Sequence, residues 1–426
     1  MLNRTQAPPI TDATDFNLKL KPYHYFELDN GVPAYAIDAG AQEVLQLELV
    51  FCAGNNFERN IGVAAATNFL LKNGTTTRTA FQLNETFDYY GSSCSRACYN
   101  ETATVVLHTL TKHTEKLLPL LTDMLSNATF LQEELDTFRQ NAKQRLLVNL
   151  QKCEFVAGRK IDQLLFGENH PYATFSNPEH LDALEVQQLK DFYKTYYLNG
   201  TCAIFISGKL PANIATLLNE NFGQLKFSKP SFNTVVIPTA PATQLKHIIH
   251  NDANAVQGAI RIAQPFPNRH HPDFIKAIVL NTVYGGFFGS RLMSNIREDK
   301  GYTYGIYSYL QNHIQHSAWL ISTEAGKDVC QATIDEVYKE MKIISDELID
   351  EEELSLVRNY MIGGILGELD GPFQIMAKWK NIILNNLDEQ YFYNNVAAIK
   401  NTTAEELQAL AQKYLVPEKF FELVVY

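Results

Sequence analysis

The sequence predicts an α+β fold made of two homologous domains, each a largely antiparallel sheet flanked by helices. Three observations support this fold class. The chain has 426 residues, 46% of them hydrophobic and 19% charged, which is long enough for two hydrophobic cores. Short alternating segments typical of strands are interspersed with longer segments of helical periodicity. The order of these segments restarts halfway along the chain, after a proline-containing stretch.

A repeat with a long and constant separation connects the two halves. The stretch FLQEELDTFRQNAKQRLL resembles LIDEEELSLVRNYMIGGIL, and VQQLKDFYKTYYL before AIFIS resembles AEELQALAQKYL before FELVV. Matching residues of the first pair lie 219 positions apart: Glu134 with Glu353, Leu135 with Leu354, and Arg139 with Arg358. So long a period indicates a duplicated domain. We therefore predict an N-terminal domain over residues 1–228, a linker over 229–243 and a C-terminal domain over 244–426.

The first domain is predicted to begin with a polar arm, followed at about residue 23 by a hairpin. Asp29-Asn30-Gly31 between two alternating segments is a strong hairpin signal. Changes between the period of a strand and that of a helix then mark the remaining elements. The predicted strands are 23–28, 32–37, 44–53, 93–99, 102–110 and 202–207, and the predicted helices are 60–74, 80–90, 112–125, 132–150, 155–166, 186–197 and 211–222.

The second domain repeats this mixture of elements. Gly301 ends one of its helices, and a strand follows directly. The predicted strands are 245–250, 258–263, 302–309, 319–323 and 420–425, and the predicted helices are 274–284, 289–300, 330–345, 351–366, 372–384 and 404–414.

Charge and cysteine content exclude some functions. The formal net charge of −11 argues against nucleic acid as a partner, because phosphate binding needs a basic surface. The N-terminal stretch has no apolar core and no later run is long enough to cross a bilayer, so we expect neither a signal peptide nor a membrane partner. The six cysteines include no C-x-x-C pair. We expect free thiols in a reducing compartment, and hence a cytoplasmic protein.

The stretch GSRLMSNIREDKGYTY, residues 289–304, carries the main functional signal. Its apolar residues recur at helical spacing, and a turn at Gly301 leads into a strand. This corner would hold Arg297 near Tyr304. A guanidinium and a phenol placed together can bind a peptide carbonyl and a developing oxyanion. The alternative interpretation is a surface ion pair beside a core tyrosine.

Nearly all of the chain resembles the pitrilysin/insulinase-type zinc peptidases, the inverzincins with an H-x-x-E-H helix. The run GVAAATNFLLKNGTTTRTAFQLNETFDYYGSS is similar to their zinc-helix region, and GGFFGSRLMSNIREDKGYTY is similar to their Arg/Tyr substrate-binding segment. In the second run Arg297, Gly301 and Tyr304 match in identity and spacing, whereas Tyr302 replaces a leucine. The length resembles the short-chain type, such as the mitochondrial processing peptidase subunits. Four homologous domains close around a chamber in that family, so this chain would be half of a clamshell.

The first of these matches lacks the residues for metal chemistry. A zinc helix needs two histidines at i and i+4 with a glutamate between them. The resemblance places these positions at Ala65, Phe69 and Asn68, and the third ligand near Gln144 and Arg145. We therefore predict no metal in this chain. Surface or hydrogen-bonded histidines are expected at the clusters elsewhere: His247 with His250, His270-His271 with Asp273, and His313 with His316.

We expect from the resemblance a zinc-less, substrate-binding subunit of a two-subunit metalloendopeptidase that degrades or processes peptides in a closed chamber. Such a chain would be inactive alone and would need a homologous zinc-bearing partner. Arg297 and Tyr304 would support the substrate and the oxyanion. The peptide would add a strand to a sheet edge, at the strand containing Cys94 and Cys98. We also expect the isolated chain to be capable of forming homodimers.

Two alternatives remain open from the sequence. One is a non-catalytic scaffold, like the metal-free core members of this family in respiratory complexes, in which the Arg/Tyr pair would be residual. The other is an autonomous metallopeptidase whose ligands have moved to other positions. Loss of cleavage after substitution of Arg297 or Tyr304 would separate the first from the subunit hypothesis, and stoichiometric zinc in the isolated chain would indicate the second.

Overall fold

The first sheet is built around the predicted hairpin. The computed structural model describes residues 12–230 and 236–426. Gly31 has φ +80°, which allows the tight turn between β1 and β2. The sheet has the order β1-β2-β6-β3-β5-β4, with β2 and β6 parallel and the other neighbours antiparallel. Its strands are β1 (His24–Glu27), β2 (Pro33–Asp38), β3 (Val44–Phe51), β4 (Ser93–Cys98), β5 (Ala103–Leu110) and β6 (Cys202–Gly208).

Helices cover this sheet and bury its apolar residues. The core contains every residue of β6 and most of β3, as expected for central strands. A π-helical segment, Lys194–Leu198, continues the seventh helix. The helices are α1 (Val63–Leu70), α2 (Ala80–Tyr89), α3 (Thr114–Ser126), α4 (Gln132–Leu150), α5 (Cys153–Phe166), α6 (Pro178–Asp182), α7 (Val186–Tyr193) and α8 (Ile214–Phe222).

The second sheet repeats the topology of the first with one strand fewer. Its order is β7-β11-β8-β10-β9, again with one parallel pair, β7 with β11. Thus β9 is an edge strand here, as β4 is in the first sheet. The strands are β7 (Lys246–Ile249), β8 (Gln257–Phe266), β9 (Thr303–Asn312), β10 (Ser317–Gly326) and β11 (Phe421–Val425).

The helices of the second half follow the predicted order, with one addition. Residues 389–401 form a helix that the sequence did not indicate. Two π-helical segments, Thr282–Gly286 and Met293–Asp299, precede β9. None of the helices within the described ranges combines the length and apolar character needed to cross a bilayer. The helices are α9 (Phe274–Asn281), α10 (Cys330–Asp346), α11 (Glu351–Glu368), α12 (Pro372–Leu384), α13 (Glu389–Asn401) and α14 (Ala404–Tyr414).

The duplicated residues make equivalent contacts. Arg139 on α4 donates to the carbonyl oxygen of Leu184, just before α7 (3.1 Å). Arg358 on α11 donates to the carbonyl oxygen of Thr402, just before α14 (3.0 Å). In each half the arginine therefore joins a long helix to the start of a later one. These contacts, together with the shared strand order, confirm the predicted α+β fold of two homologous units.

The chain divides into two compact units whose boundaries differ from the predicted domains. One unit comprises residues 21–243 and 371–386, and the other comprises 1–20, 244–370 and 387–426. Residues 231–235 of the predicted linker lie outside the described residues. Beyond them, Ala240 and Ala242 donate backbone hydrogen bonds to α5, at Phe166 and Leu164. The later part of the predicted linker is therefore attached to the first unit.

Candidate functional site

The helix that carries Arg297 is fixed to its own unit by charged side chains on one face. Arg291, at its start, forms two hydrogen bonds to the Glu353 carboxylate of α11 (2.8 and 2.7 Å). Asn295 donates to Glu336 and Glu340 of α10 (2.9 and 2.7 Å). Such paired contacts fix the helix in orientation as well as position. Arg297 therefore projects from a supported element.

The turn after this helix follows the prediction. Gly301 has φ +67°, a conformation that glycine adopts without strain. The backbone N–H of Tyr302 donates to the carbonyl oxygen of Ile296 (3.1 Å), which closes the helix end. Met293 and Ile296 are buried below the turn. The change from helix to strand thus occurs within a few residues, at a supported corner.

A β-bulge next to the turn directs Tyr304 outward. Thr323 pairs with Ile306 and Ala325 pairs with Thr303, so Tyr304 and Gly305 lie opposite a single residue of β10. The Thr303 hydroxyl stabilises this bulge, since it accepts from the N–H of Gly305 and donates to the Glu324 carbonyl oxygen. Bulges commonly redirect side chains beside functional sites. The Tyr304 side chain is 91% exposed.

The structure brings Arg297 and Tyr304 together and adds Phe288 to them. The Arg297 guanidinium carbon lies 4.5 Å from the ring centroid of Phe288 and 5.5 Å from that of Tyr304. No group in the described part of the chain takes a hydrogen bond or forms an ion pair with Arg297 or the Tyr304 hydroxyl. The predicted alternative of an ion pair beside a core tyrosine is therefore wrong. The guanidinium is positioned by aromatic rings, and its N–H groups stay available to a ligand.

The position of Asn68 on α1 is used for packing. Asn68 is buried, and its amide donates to the Tyr197 hydroxyl (3.1 Å) and to the Thr104 carbonyl oxygen (3.3 Å). The start of the helix is capped by the Glu58 carboxylate, which accepts from the N–H groups of Gly62 and Ala64 (2.9 and 2.8 Å). Burial raises the pKa of Glu58, and these two hydrogen bonds partly offset the rise. The helix is intact, but its polar groups serve the fold.

The Arg96 side chain packs against α1 at Phe69. Phe69 is 40% exposed, and its ring lies 5.2 Å from that of Phe138 on α4. The Arg96 guanidinium from β4 lies 5.1 Å from the Phe69 ring centroid and donates to the Phe69 carbonyl oxygen (2.8 Å). Gln144 and Arg145, near which the third ligand was expected, are exposed on α4. Phe69, at a position that the resemblance assigns to a zinc ligand, thus makes a cation–aromatic contact with Arg96.

These residues do not fit zinc. Zinc needs thiolate, imidazole or carboxylate ligands, which Ala65, Asn68 and Phe69 do not supply, and the Arg96 guanidinium beside Phe69 would repel the metal. Elsewhere in residues 12–230 and 236–426, no group of three histidine, cysteine or acidic residues could hold a metal ion. In the cluster at His271, the Asp273 carboxylate already accepts from Lys413 and Tyr414 (2.6 and 2.7 Å).

The cysteines behave as buried side chains. All six are free of disulfides. Cys94 and Cys98 face the same side of β4, as predicted, and burial raises the pKa of the Cys94 thiol to about 11 and that of Cys98 to about 12. Such thiols are poor nucleophiles at neutral pH. Within the described residues, their strand β4 is an edge strand of the first sheet. Addition of a peptide strand requires such an edge.

Sequence reasoning missed two residues of these sites. Phe288 lies next to the predicted corner, and an aromatic residue in that stretch was an available signal. Arg96 gave no signal, because its contact with Phe69 joins residues 27 positions apart. Such a contact depends on how β4 lies against α1.

Comparison with known proteins identifies the family. Residues 36–172 match a family model described as insulinase (peptidase family M16), and residues 183–361 match one described as the peptidase M16 inactive domain. The Bacillus subtilis protein named "uncharacterized zinc protease YmxG" is 22% identical over 367 residues, which cover 83% of this chain and 87% of that protein.

Solved structures share the whole fold. A peptidase M16 inactive domain from Pseudomonas fluorescens has a TM-score of 0.83 at 21% identity, over 95% of this chain and 98% of that one. The periplasmic protease PqqL from Escherichia coli has a TM-score of 0.77 at 16% identity, over 96% of this chain and 48% of PqqL. The resemblance predicted from the residues is confirmed: this chain belongs to peptidase family M16.

Proposed function

We propose that this chain is the metal-free, substrate-binding subunit of a two-subunit M16 metalloendopeptidase. The observation that carries the proposal is the open Arg297–Tyr304 pair, held by Phe288 and a β-bulge and without a partner in the described residues. A pair that served only packing would be buried or joined to an acid. Here the donors face outward, while the residues of the zinc helix serve the fold.

The chemistry of the pair suits a peptide backbone. The Arg297 guanidinium presents several N–H donors that would bind a carbonyl oxygen of the substrate. The Tyr304 hydroxyl would donate to the oxyanion that develops at the scissile carbonyl. One such donor contributes roughly 3–4 kcal/mol to the transition state, which is a sufficient reason to retain the pair in a chain without metal.

A partner is required because the zinc-helix positions Ala65, Asn68 and Phe69 offer no zinc ligand. A homologous subunit with an intact zinc helix would supply the metal-bound water and its general base. The match of this chain to 48% of PqqL supports this proposal, since that protease is about twice as long. Substrates would be peptides in extended conformation.

The test is peptide cleavage by the reconstituted pair. The chain is mixed with a homologue from the same genome that retains H-x-x-E-H, and cleavage of a quenched-fluorescence peptide library is followed. We expect neither protein to cleave efficiently alone. In the mixture, Tyr304→Phe should lower kcat about 100-fold or more, and Arg297→Ala should lower kcat/KM by a similar factor.

Two matched variants control for indirect effects. Tyr307→Phe changes another exposed tyrosine of β9, and Lys327→Ala removes a cation that stacks on Tyr426 in the same unit (5.1 Å). Both should retain activity. Full activity of the Arg297 and Tyr304 variants would contradict the proposal and leave the scaffold hypothesis. Stoichiometric zinc and cleavage by the isolated chain would also contradict it.

A further inference from the structure

Arg96 has hydrogen-bonding capacity that the fold does not use. It lies on the face of β4 that α1 covers, together with Cys94 and Cys98. The Nη1 group donates to the Phe69 carbonyl oxygen, and the guanidinium lies over the Phe69 ring. The buried Nε has no acceptor. Nη2 makes no hydrogen bond in the described part of the chain and is not among the fully buried atoms.

A second cation, Lys72, lies at the C-terminal end of α1, which packs against the strand of Arg96. Lys72 follows the C-cap of α1, and its ammonium lies 4.9 Å from the ring centroid of Phe87. Burial lowers the pKa of Lys72, Cys94 and Asp88 act to raise it, and the positive charge of Arg96 acts to lower it. Neither cation forms an ion pair with a carboxylate in the described residues. An anionic group bound here would relieve the repulsion between them.

The location on an edge strand indicates what kind of molecule would carry the anion. Within the described residues β4 pairs with β5 on one side only, so the backbone on its other side can accept an added strand. An extended peptide on β4 would place alternate side chains, or its terminus, over the α1 face. A carboxylate matches the fork of a guanidinium geometrically and neutralises its charge.

We propose that Arg96 and Lys72 form a carboxylate-binding site for extended peptides on β4, at the position the family resemblance assigns to zinc. The site rests on the proposed peptide-binding function and adds a preference to it. The carboxylate belongs either to an acidic side chain or to the C-terminus of the peptide. In this chain, a side-chain cation replaces the metal as the positive charge that faces the substrate.

Fluorescence anisotropy with labelled nonapeptides tests the site on the full chain. The parent peptide has no acidic residue and an amidated C-terminus. One series introduces a single Glu at successive positions with Gln as its neutral match, and a second series frees the C-terminus. We expect carboxylate peptides of at least one series to bind about tenfold more tightly than their matches, the effect of a charge-assisted hydrogen bond. Added salt should weaken this preference.

Arg96→Gln should abolish the preference, and Lys72→Gln should reduce it. Arg159→Gln is the matched control, because Arg159 also stacks on a phenylalanine ring (4.9 Å from Phe175) and donates to a backbone carbonyl, at Ser176. Its preference should equal that of the wild type. Arg96→Lys, which keeps the charge, should retain part of it, and circular dichroism would verify that all variants fold.

The outcomes separate this inference from the proposed function. Peptides that bind equally well with and without a carboxylate, or a preference that survives Arg96→Gln, would overturn the carboxylate site only. Absence of binding for every peptide would contradict both the site and the proposed function. Two results together would support the carboxylate site and the proposed function. Arg297→Ala would abolish peptide binding, and Arg96→Gln would abolish the preference for a carboxylate.

Discussion

Asn68 shows how one residue of the zinc-helix pattern became part of the core. The resemblance places a catalytic glutamate at this position, but a glutamate needs a polar site open to substrate. Here the side chain is 2% exposed and its amide donates to Tyr197, whose ring is fully buried. A carboxylate would lose the donor that the Tyr197 hydroxyl and the Thr104 carbonyl accept. The position is therefore no longer suited to a general base.

Loss of the contact between Asn68 and Tyr197 should destabilise the protein. Asn68→Ala should lower the free energy of unfolding by about 2 kcal/mol, because it leaves buried oxygen atoms without a donor. Tyr197→Phe should cost about 1 kcal/mol, and the double variant less than the two losses added together. Urea unfolding of each variant measures these values. Asn84→Ala, an exposed asparagine on α2, should change stability by less than about 0.5 kcal/mol. Strictly additive losses would show that the two side chains do not interact.

For individual residues, the sequence predicted contacts between residues that are close in the chain. Arg297 and Tyr304 lie in one helix-turn-strand stretch, so their spacing was enough to predict their proximity. The positions Ala65, Asn68 and Phe69 were assigned from the family resemblance and remain a prediction. Arg96 was not, because its environment depends on the packing of β4 against α1. Local geometry can be predicted from local sequence, whereas contacts between elements require the fold.

The elements show the same distinction. The bounds predicted for α4, α12 and α14 agree with the structure, since each has a sustained helical period. The bulge at Tyr304 was not predicted, because it depends on the register between β9 and β10. The helix α13 was missed. Phe392, Val396 and Ile399 do recur at helical spacing along it, so the signal was present in the sequence and was overlooked.

The connection between α1 and α2 is held to α3 by Asp123, so its contribution to stability should depend on pH. Asp123 on α3 accepts hydrogen bonds from Thr75, Thr77 and Arg78 of this connection (2.8, 2.7 and 2.9 Å). Burial acts to raise the pKa of Asp123, but these hydrogen bonds and one from Asn127 outweigh it and lower the pKa overall. The folded-state pKa therefore lies below the unfolded value. The resulting stability is complete above the unfolded pKa of about 3.9 and is lost as the pH falls through the folded value.

Asp123→Asn should thus lower the free energy of unfolding by about 2 kcal/mol at pH 7, since hydrogen bonds to a charged group are lost. The difference from the wild type should stay constant down to about pH 5 and shrink below about pH 4. Urea unfolding between pH 7 and 3 measures it. Asp335→Asn, an exposed residue of α10 that accepts from Gln331, should show little difference at any pH. A difference for Asp123→Asn that is as large at pH 3 as at pH 7 would indicate lost packing and not lost charge.

For the whole molecule, the duplicated topology was predictable and the exchange of segments was not. The repeat around Arg139 and Arg358 indicated two similar units, and the two sheets share their strand order. However, the helix α12, from the second half of the sequence, belongs to the compact unit of the first sheet. Periodicity gives the bounds of a helix but does not indicate which core it joins.

Within that unit, α12 contributes a buried ion pair and an aromatic contact. The Lys380 ammonium lies 2.8 Å from each oxygen of Glu48 on β3, which is 5% exposed. Trp379 donates to the Lys21 carbonyl oxygen (2.8 Å), and its ring lies 4.7 Å from that of Tyr23. Loss of the Lys380 side chain from the docked helix would leave the Glu48 charge buried without its cation, a change that typically costs about 3–5 kcal/mol.

We therefore expect a fragment of residues 21–243 to be unstable alone and to be stabilised by a peptide of residues 371–386. Stabilisation by a ligand that binds only the folded state grows with its concentration. The urea midpoint of the fragment should accordingly rise as the peptide is added. A peptide with Lys380→Ala should be much less effective, because Glu48 would stay unpaired. In a fragment with Glu48→Gln the two peptides should differ little, since no buried charge then needs Lys380. A fragment whose stability is high and independent of the peptide would show that residues 21–243 fold without a segment from the second half of the sequence.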